Sequence, residues 1–301
     1  MTRQNNIILI TGVSGFLGSA LAKFLLSKGE IVVGLKRSFS NNKNLADFVG
    51  HPNLKLFDID KSGFEPIFKE YSVNIAIHAA TSSSNRGGNI SQIMDANVLL
   101  PLKLIDQLYI NGCKVFINAG VFIPSGYVDT YYHSKKIFLE CMQEYSKYLK
   151  IIDVQLQMLY GKNSSETQFV SKIILDFFHQ AECLNLTQGL QKRDFIYIDD
   201  AIRAFDAIIN NMNNFQDAYT AVELGNSSPV TIKYLIETIK NLTNNSTTTL
   251  HFGVVEYREN EIMCSKADTK ILRSLGWTPV VKIDDGLKMT VDALKKAYFN
   301  D

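Results

Sequence analysis

The chain has 301 residues, 46% of them apolar and 20% charged. That balance excludes a disordered polymer, and the length suits two domains of about 150 residues each. A formal net charge of +1 excludes any general pull toward nucleic acid or anionic lipid, so an anionic ligand needs a local site.

In the first half, short apolar runs alternate with longer amphipathic stretches. Residues 7–10, 31–35, 54–57, 74–78, 114–117 and 151–159 read as strands, rich in Ile, Val, Leu and Phe and lacking the polar alternation of a half-exposed sheet. Between them the spacing predicts helices over 16–28, near 65–70, and over 93–111 and 131–148, with Gly29 and Gly112 as stop signals. This alternation predicts an α/β fold with a doubly wound parallel sheet. After about Gly161 the rhythm changes to helices over 169–180, 200–211, 231–241 and 284–299, with short strands at 195–198, 219–224 and 249–252. Residues 1–160 with about 192–227 are expected to form a dinucleotide-binding domain, and 161–191 with 228–301 a smaller mixed α/β substrate domain. No apolar run approaches the ~18 residues of a spanning helix, and the four apolar residues near the N-terminus are too few for a signal peptide. A soluble, cytoplasmic protein without a membrane partner is expected. Cys113, Cys141, Cys183 and Cys264 are far apart with no CxxC pattern, so reduced thiols and no metal site are expected.

Three places carry chemistry. The first strand runs into Gly12-Val-Ser14-Gly15-Phe16-Leu17-Gly18 and then a helix. Glycines there allow a tight turn against a pyrophosphate, and the helix start offers free N–H groups and the positive end of its dipole. Dinucleotide binding on a Rossmann-type sheet follows. The second strand ends in Lys36-Arg37, where an acidic residue would select NAD. A cation can instead neutralise a 2′-phosphate, which favours NADP(H), with NAD(H) as the alternative. At 131–136 the sequence reads Tyr131-Tyr132-His133-Ser134-Lys135-Lys136. Residues four apart share a helix face, so either Tyr131 with Lys135 or Tyr132 with Lys136 can act together. An ammonium beside a phenol favours the phenolate, a group that can exchange a proton with a sugar carbonyl or hydroxyl.

The glycine pattern, Asp58-Ile59, His78-Ala79-Ala80-Thr81, Asn97-Val-Leu-Leu and Tyr131-x-x-Ser134-Lys135 resemble the extended short-chain dehydrogenase/reductases, the NAD-dependent epimerase/dehydratase family. Their order matches over the whole chain. Arg193-Asp-Phe-Ile-Tyr-Ile-Asp-Asp200, Arg258-Glu-Asn-Glu-Ile-Met263 and Gly276-Trp-Thr-Pro279 are similar to its nucleotide-sugar branch, and the stretches Asp95-Ala-Asn-Val to Pro101-Leu-Lys-Leu and Phe252-Gly to Met263 resemble CDP-abequose and CDP-paratose synthases most. The resemblance implies that Gly12, Ser14, Gly15, Phe16, Leu17 and Gly18 hold the cofactor pyrophosphate, with Lys36 and Arg37 at the 2′-phosphate. It places Asp58 and Ile59 at the adenine, and Ala79, Ala80, Thr81 and Asn97 along the cofactor. Tyr131 would be the acid, Lys135 its partner and a ligand of the nicotinamide ribose. Arg193 and Arg258 would grip the substrate pyrophosphate, and Thr81 would face the substrate. His78, at the end of a buried strand, is expected to be structural.

One departure bears on the reaction. The family carries a Ser or Thr after the fifth strand, whereas this chain reads Asn118-Ala119-Gly120-Val121. Asn118, Thr81 or Ser125 could supply the missing donor. The Asp-Glu pair of the sugar 4,6-dehydratases is absent, and Cys113 precedes the strand rather than following it, which argues against 3,5-epimerase–reductases. The implied function is NADPH-dependent C4 reduction of a nucleotide-linked 4-keto-6-deoxy or 3,6-dideoxy hexose, CDP-linked by preference, in deoxysugar biosynthesis for surface polysaccharide such as lipopolysaccharide O-antigen. The alternatives are a 4-epimerase with tightly bound NAD and, in another class, a non-catalytic NADP(H)-binding regulatory or scaffold protein. A homodimer is expected, with Leu100, Leu104, Ile105, Leu108, Phe138, Cys141, Met142 and Tyr145 either forming its face or covering the sheet.

Overall fold

The computed structural model describes residues 6–82, 89–123 and 129–299. The apolar runs of the first half become β1 (Ile7–Thr11), β2 (Ile31–Lys36), β3 (Leu54–Asp58), β4 (Ile75–His78), β5 (Val115–Val121) and β6 (Lys150–Leu156). Between them lie α1 (Phe16–Ser27), α2 (Ile59–Ser62), α3 (Glu65–Glu70), α4 (Ile90–Met94), α5 (Leu100–Ile110) and α6 (Thr130–Glu144). There follow β7 (Met158–Tyr160), α7 (Phe169–Phe178), β8 (Cys183–Leu186), β9 (Lys192–Arg193), β10 (Phe195–Tyr197), α8 (Ile198–Asn210) and β11 (Tyr219–Leu224). The chain ends with β12 (Val230–Thr231), α9 (Ile232–Leu242), β13 (Thr249–Phe252), α10 (Lys270–Ser274) and α11 (Ile283–Phe299).

Seven strands form one sheet in the order β11-β6-β5-β4-β1-β2-β3. The pairs β1·β2, β1·β4, β2·β3 and β4·β5 are all parallel, with Ile8 between Val32 and Ile75. The doubly wound Rossmann-type sheet expected from the sequence is present. Strand order reverses between β1 and β4, so the ligand crevice of such a sheet opens outside the carboxyl ends of these strands. The core on one side joins Leu9, Ala76, Phe116 and Ile151 of the sheet to Leu104, Ile105 and Leu108 of α5 and to Phe138 and Met142 of α6. Five of the eight apolar positions considered for a dimer face are thus buried in the chain's own core, where they cover the sheet. The exposed large apolar side chains on these elements are others: Tyr109 and Ile110.

Two elements differ from expectation. The helix predicted over 93–111 is interrupted by a π-helical turn at Asp95–Leu99, followed by Pro101 in the first turn of α5. Proline has no N–H for the i→i−4 ladder, and the widened turn before it leaves Asn97 fully buried. The strand predicted over 151–159 is two strands, because β7 leaves the main sheet to pair with β10, Met158 opposite Phe195.

The chain divides into two compact units. Among the described residues, the first runs to Ile123 and also holds 129–155 and Asn211–Val222; the second holds Leu156–Asn210 and the chain from Glu223 on. The sheet unit therefore takes back 211–222 rather than all of 192–227. Residues 192–210 stay in the second unit because β10 pairs with β7 and β9 pairs with β12. Two buried acids staple that unit from within. Asp194 accepts the backbone N–H groups of Asn226 at 2.9 Å, Ser227 at 3.0 Å and Ala267 at 2.9 Å. Asp200 accepts those of Val280 at 3.0 Å and Val281 at 2.9 Å and pairs with Arg203. No helix among the described residues is long and apolar enough to cross a membrane.

Candidate active site

The turn after β1 is built from backbone. Gly12 has φ +66°, in the left-handed region, and a Cβ on it would lie 2.8 Å from the Ala80 Cα. A side chain is therefore excluded twice, by conformation and by space. The turn closes through the Gly15 N–H on the Gly12 carbonyl at 2.8 Å, and a Cβ on Gly18 would strike that same carbonyl. Helix α1 starts at Phe16 behind Gly15 with no side-chain cap, which leaves its first-turn N–H groups for an anion. The Thr11 hydroxyl accepts the N–H groups of Ala79 and Ala80, both at 3.1 Å, and lies 2.8 Å from His78 Nδ1. Having accepted twice, it donates to Nδ1, so the His78 proton rests on Nε2. Burial, helped by the Lys135 charge, pushes this imidazole down to about 3, and its ring packs on Phe116 and Phe138. His78 is a neutral packing residue that fixes the loop after β4.

At the end of β2, Lys36 Nζ lies 2.6 Å from Asp58 Oδ1, so two residues expected along the cofactor hold each other. Arg37 lies over the Phe39 ring, 4.7 Å from its centroid, and the Ser38 N–H and hydroxyl both bond Asp60 at 2.7 Å. Ile59 opens the short α2 next to this rim.

Buried Asn97 ties the loop after β4 to helix α6. Its Nδ2 donates to the Ser82 carbonyl at 2.8 Å and to Ser134 Oγ at 2.9 Å. Its Oδ1 accepts the Ser82 N–H at 2.7 Å and the Thr81 hydroxyl at 3.3 Å. The segment after β4 is thereby anchored to α6.

Helix α6 opens on Asp129, whose side chain accepts the Tyr132 N–H at 2.8 Å. Lys135 is 4% exposed with Nζ 5.9 Å from the Tyr131 ring centroid, whereas Lys136 is exposed. Burial lowers the Lys135 ammonium to about 8, with the negative charge of Asp153 pulling it back up. Asp153, on β6, is 3% exposed; burial raises its carboxyl, and hydrogen bonds from Asn118 and Gln155 and the Lys135 charge oppose the rise. Asn118 Nδ2 donates to Asp153 Oδ1 at 2.7 Å, and Gln155 Nε2 to Oδ2 at 3.2 Å. Gly120 borders the same group: a Cβ there would lie 2.5 Å from Asp153 Oδ1 and 3.1 Å from Asn118 Nδ2. Gly120, in the segment expected to carry the family's hydroxyl, is thus a notch bordered by a carboxylate from the next strand. Of the three donors considered, Thr81 is bonded to Asn97 and Asn118 to Asp153, while Ser125 lies outside the described residues. In the sequence Asp153 is marked only as a lone acid in the apolar run Ile151-Ile-Asp-Val154 of a strand with both faces covered.

In the second unit, Arg193 bonds the Ile262 carbonyl at 2.5 Å and the Lys192 carbonyl at 2.9 Å, and its guanidinium pairs with Glu261. The Glu261 N–H in turn reaches the Arg258 carbonyl at 3.0 Å. The segments carrying the two expected pyrophosphate ligands are therefore joined, with a carboxylate as Arg193's present partner.

The model of the NAD dependent epimerase/dehydratase family matches residues 8–221. The chain is 29% identical to CDP-abequose synthase of Salmonella typhimurium, over 96% of this chain and 98% of that one. It is 30% identical to CDP-abequose synthase of Salmonella muenchen over the same shares. Among solved structures, UDP-glucuronic acid 4-epimerase from Bacillus cereus in complex with NAD superposes with a TM-score of 0.85, at 20% identity and over 98% of both chains. A match over most of the chain, across the glycine turn, β4, Asn97 and the Tyr131–Lys135 helix, settles the assignment: this chain belongs to the NAD dependent epimerase/dehydratase family.

Proposed function

We propose that this chain is an NADPH-dependent reductase acting at C4 of a nucleotide-linked 4-keto-6-deoxy or 3,6-dideoxy hexose, CDP-linked by preference. The observation that carries the reading is Lys135, buried on α6 with its ammonium 5.9 Å from the Tyr131 ring centroid. A buried cation there would stabilise the negative charge that develops when Tyr131 gives up its proton. Similarity to two CDP-abequose synthases over nearly the full chain supports a CDP-linked sugar.

The residues present fit a dinucleotide. The turn at Gly12 is a cradle that a Cβ would fill, and the uncapped start of α1 suits the pyrophosphate. Arg37 would take the 2′-phosphate, since Lys36 is held by Asp58. When bound, such a cofactor supplies a hydride for the C4 carbon. Tyr131 then gives its hydroxyl proton to the C4 oxygen, which completes the alcohol, and Lys135 stabilises the phenolate left behind. Asn97 orients the loop after β4 and α6 with respect to each other. Arg193 and Arg258 would take the substrate pyrophosphate, which would replace Glu261 as Arg193's anionic partner.

One observation favours the runner-up. With Lys36 neutralised by Asp58, Arg37 is left to select the 2′-phosphate, and an NAD-retaining 4-epimerase needs no such cation. The test supplies NADPH with CDP-, dTDP-, UDP- and GDP-linked 4-keto sugars and follows loss of nicotinamide absorbance, with NMR of the product at C4. Stoichiometric NADPH oxidation is expected with the CDP sugar. Turnover of 4-hydroxy sugars by enzyme carrying its own NAD would establish the epimerase. Tight NADPH binding with no turnover would establish the scaffold.

A further inference from the structure

One carboxylate sits where the substrate's own anion is expected. Arg193 ends β9, whose pairing with β12 sets it opposite Val230. Its Nη1 donates to the Lys192 carbonyl at 2.9 Å and to the Ile262 carbonyl at 2.5 Å. Those two bonds spend both Nη1 protons and fix the guanidinium with neutral acceptors. Its Nη2 pairs with the Glu261 carboxylate. Both side chains are 18% exposed, so water screens this pair less than it screens a surface pair. A tight turn delivers Glu261 to that position. Asn260 takes φ +62°, a left-handed conformation that asparagine tolerates better than most residues, and the Glu261 N–H bonds the Arg258 carbonyl at 3.0 Å. The chain on either side of the turn has its own anchors. The Leu190 N–H bonds the Tyr257 hydroxyl at 3.1 Å, the Lys192 N–H the Met263 carbonyl at 2.8 Å, and the Ser265 N–H the Lys192 carbonyl at 3.1 Å. Backbone carbonyls thus orient Arg193 without help from Glu261. With Nη1 spent, the edge left for gripping phosphate oxygens two at a time is Nε with Nη2, and Glu261 lies on half of it.

We propose that Glu261 is a built-in competitor for the substrate's diphosphate: its carboxylate holds the Nη2 of Arg193 until a nucleoside-linked diphosphate displaces it. The proposal rests on the reading that Arg193 takes the substrate pyrophosphate. A ligand with one negative charge gains little by replacing a carboxylate already in contact. A diphosphate brings at least two charges and more acceptor oxygens, so the exchange runs in its favour. Affinity for every ligand that uses this edge is reduced to the fraction of molecules in which Glu261 has let go. The ion pair therefore sets how much charge a ligand must bring, which makes Glu261 a specificity-determining residue.

The test titrates the full chain with CDP and follows the heat of binding, so it needs no turnover. Glu261→Gln keeps the size of the side chain and an oxygen for Arg193 but removes the charge, and should tighten CDP binding about tenfold. Arg193→Gln should weaken CDP binding, and in that background Glu261→Gln should change nothing, because both act on one guanidinium. Glu259→Gln removes an equal charge from an exposed position in the same turn and should leave the affinity nearly level, which separates displacement from a general loss of negative charge. A cooperative melt shows that each variant is folded; if Glu261→Gln is not, Glu261→Ala takes its place with the same expectation. The proposal is overturned, with the pyrophosphate reading intact, if Arg193→Gln weakens CDP binding but the folded Glu261 variant does not tighten it. It is overturned equally if the tightening persists without Arg193 or is matched by Glu259→Gln. If Arg193→Gln leaves CDP affinity unchanged, the pyrophosphate reading of Arg193 itself fails and the proposal falls with it.

Discussion

At the end of β1 the chain builds a tight turn from backbone alone; at the end of β5 it uses buried side chains drawn from β5 and β6. The first place depends on what is missing, a Cβ at Gly12 where Ala80 passes 2.8 Å away. At the second, the space left at Gly120 is bordered by a foreign carboxylate, that of Asp153. The backbone turn tolerates no side chain at all. Side-chain clusters of this kind can be rebuilt, but only as a set, because removing one member of a buried pair leaves the other uncompensated.

The contrast is sharpened most by removing the proposed acid. Tyr131→Phe should lower kcat by about 10²–10⁴-fold with the NADPH dissociation constant nearly unchanged, and Tyr132→Phe should cost far less. Initial rates beside fluorescence titration give both numbers, and a larger loss from Tyr132→Phe would assign the reaction to Tyr132 and Lys136. The wild-type rate also carries a sign. Lys135 loses its proton near pH 8, so kcat/KM should fall on the alkaline side of that value and be level below it.

Next in size is the cluster's dependence on Gly120. Gly120→Ser puts a Cβ where Asp153 Oδ1 would be 2.5 Å away, and should destabilise the protein by about 1–3 kcal/mol while lowering activity. Adding Asp153→Ala should return most of the stability. Urea unfolding of the single and double variants measures the coupling, and simple additivity would mean that the two positions do not compete for space.

The difference in chemistry is also a difference in legibility. Glycines at fixed offsets after an apolar run identify the β1 turn, because the constraint is local and acts on residue type. The parallel sheet was equally readable, since β1, β2, β4 and β5 show their two-sided burial as unbroken apolar runs. The cluster at β5 joins residues 118, 120 and 153, which only strand order brings together. The gap at Gly120 was visible in the sequence; its occupant was not, because β6 lies 30 residues further on. The π-turn at Asn97 escaped for another reason: Pro101 is an ordinary first-turn residue, and only the buried Asn97 shows why the preceding turn widens.

A smaller effect distinguishes the packed interior beneath both places. His78 links them, bonding Thr11 beside the glycine turn and stacking on Phe116 of β5. Its imidazole stays neutral in the folded protein down to about 3, whereas in the unfolded chain it takes up a proton at its ordinary 6.5. The unfolded state therefore binds more protons below pH 6.5, and stability falls as pH falls, by about 2 kcal/mol at pH 5 from this group. His78→Asn should remove that slope in urea titrations at pH 7 and 5. An unchanged slope would show that other groups cause the acid loss.

The smallest effect lies at the rim of β2, where charge sits on a surface rather than in a buried cluster. If Arg37 selects the 2′-phosphate, NADPH should bind about tenfold more tightly than NADH, a difference of about 1.4 kcal/mol, and Arg37→Asp should reverse the order. Lys36 serves as the internal control, because its ammonium is already committed to Asp58 at 2.6 Å. Lys36→Met should change the NADPH-to-NADH ratio less than Arg37→Met does, although the two cations are adjacent in sequence. Salt adds an independent check: a contact made by a solvent-facing guanidinium weakens with ionic strength, so the NADPH preference should shrink between low and high salt while NADH binding stays nearly level. Fluorescence titrations of both cofactors at two salt concentrations read all of these terms. Equal affinities for NADPH and NADH in the wild type would transfer the proposal from a dissociable reductant to a retained NAD, and with it from reductase to 4-epimerase.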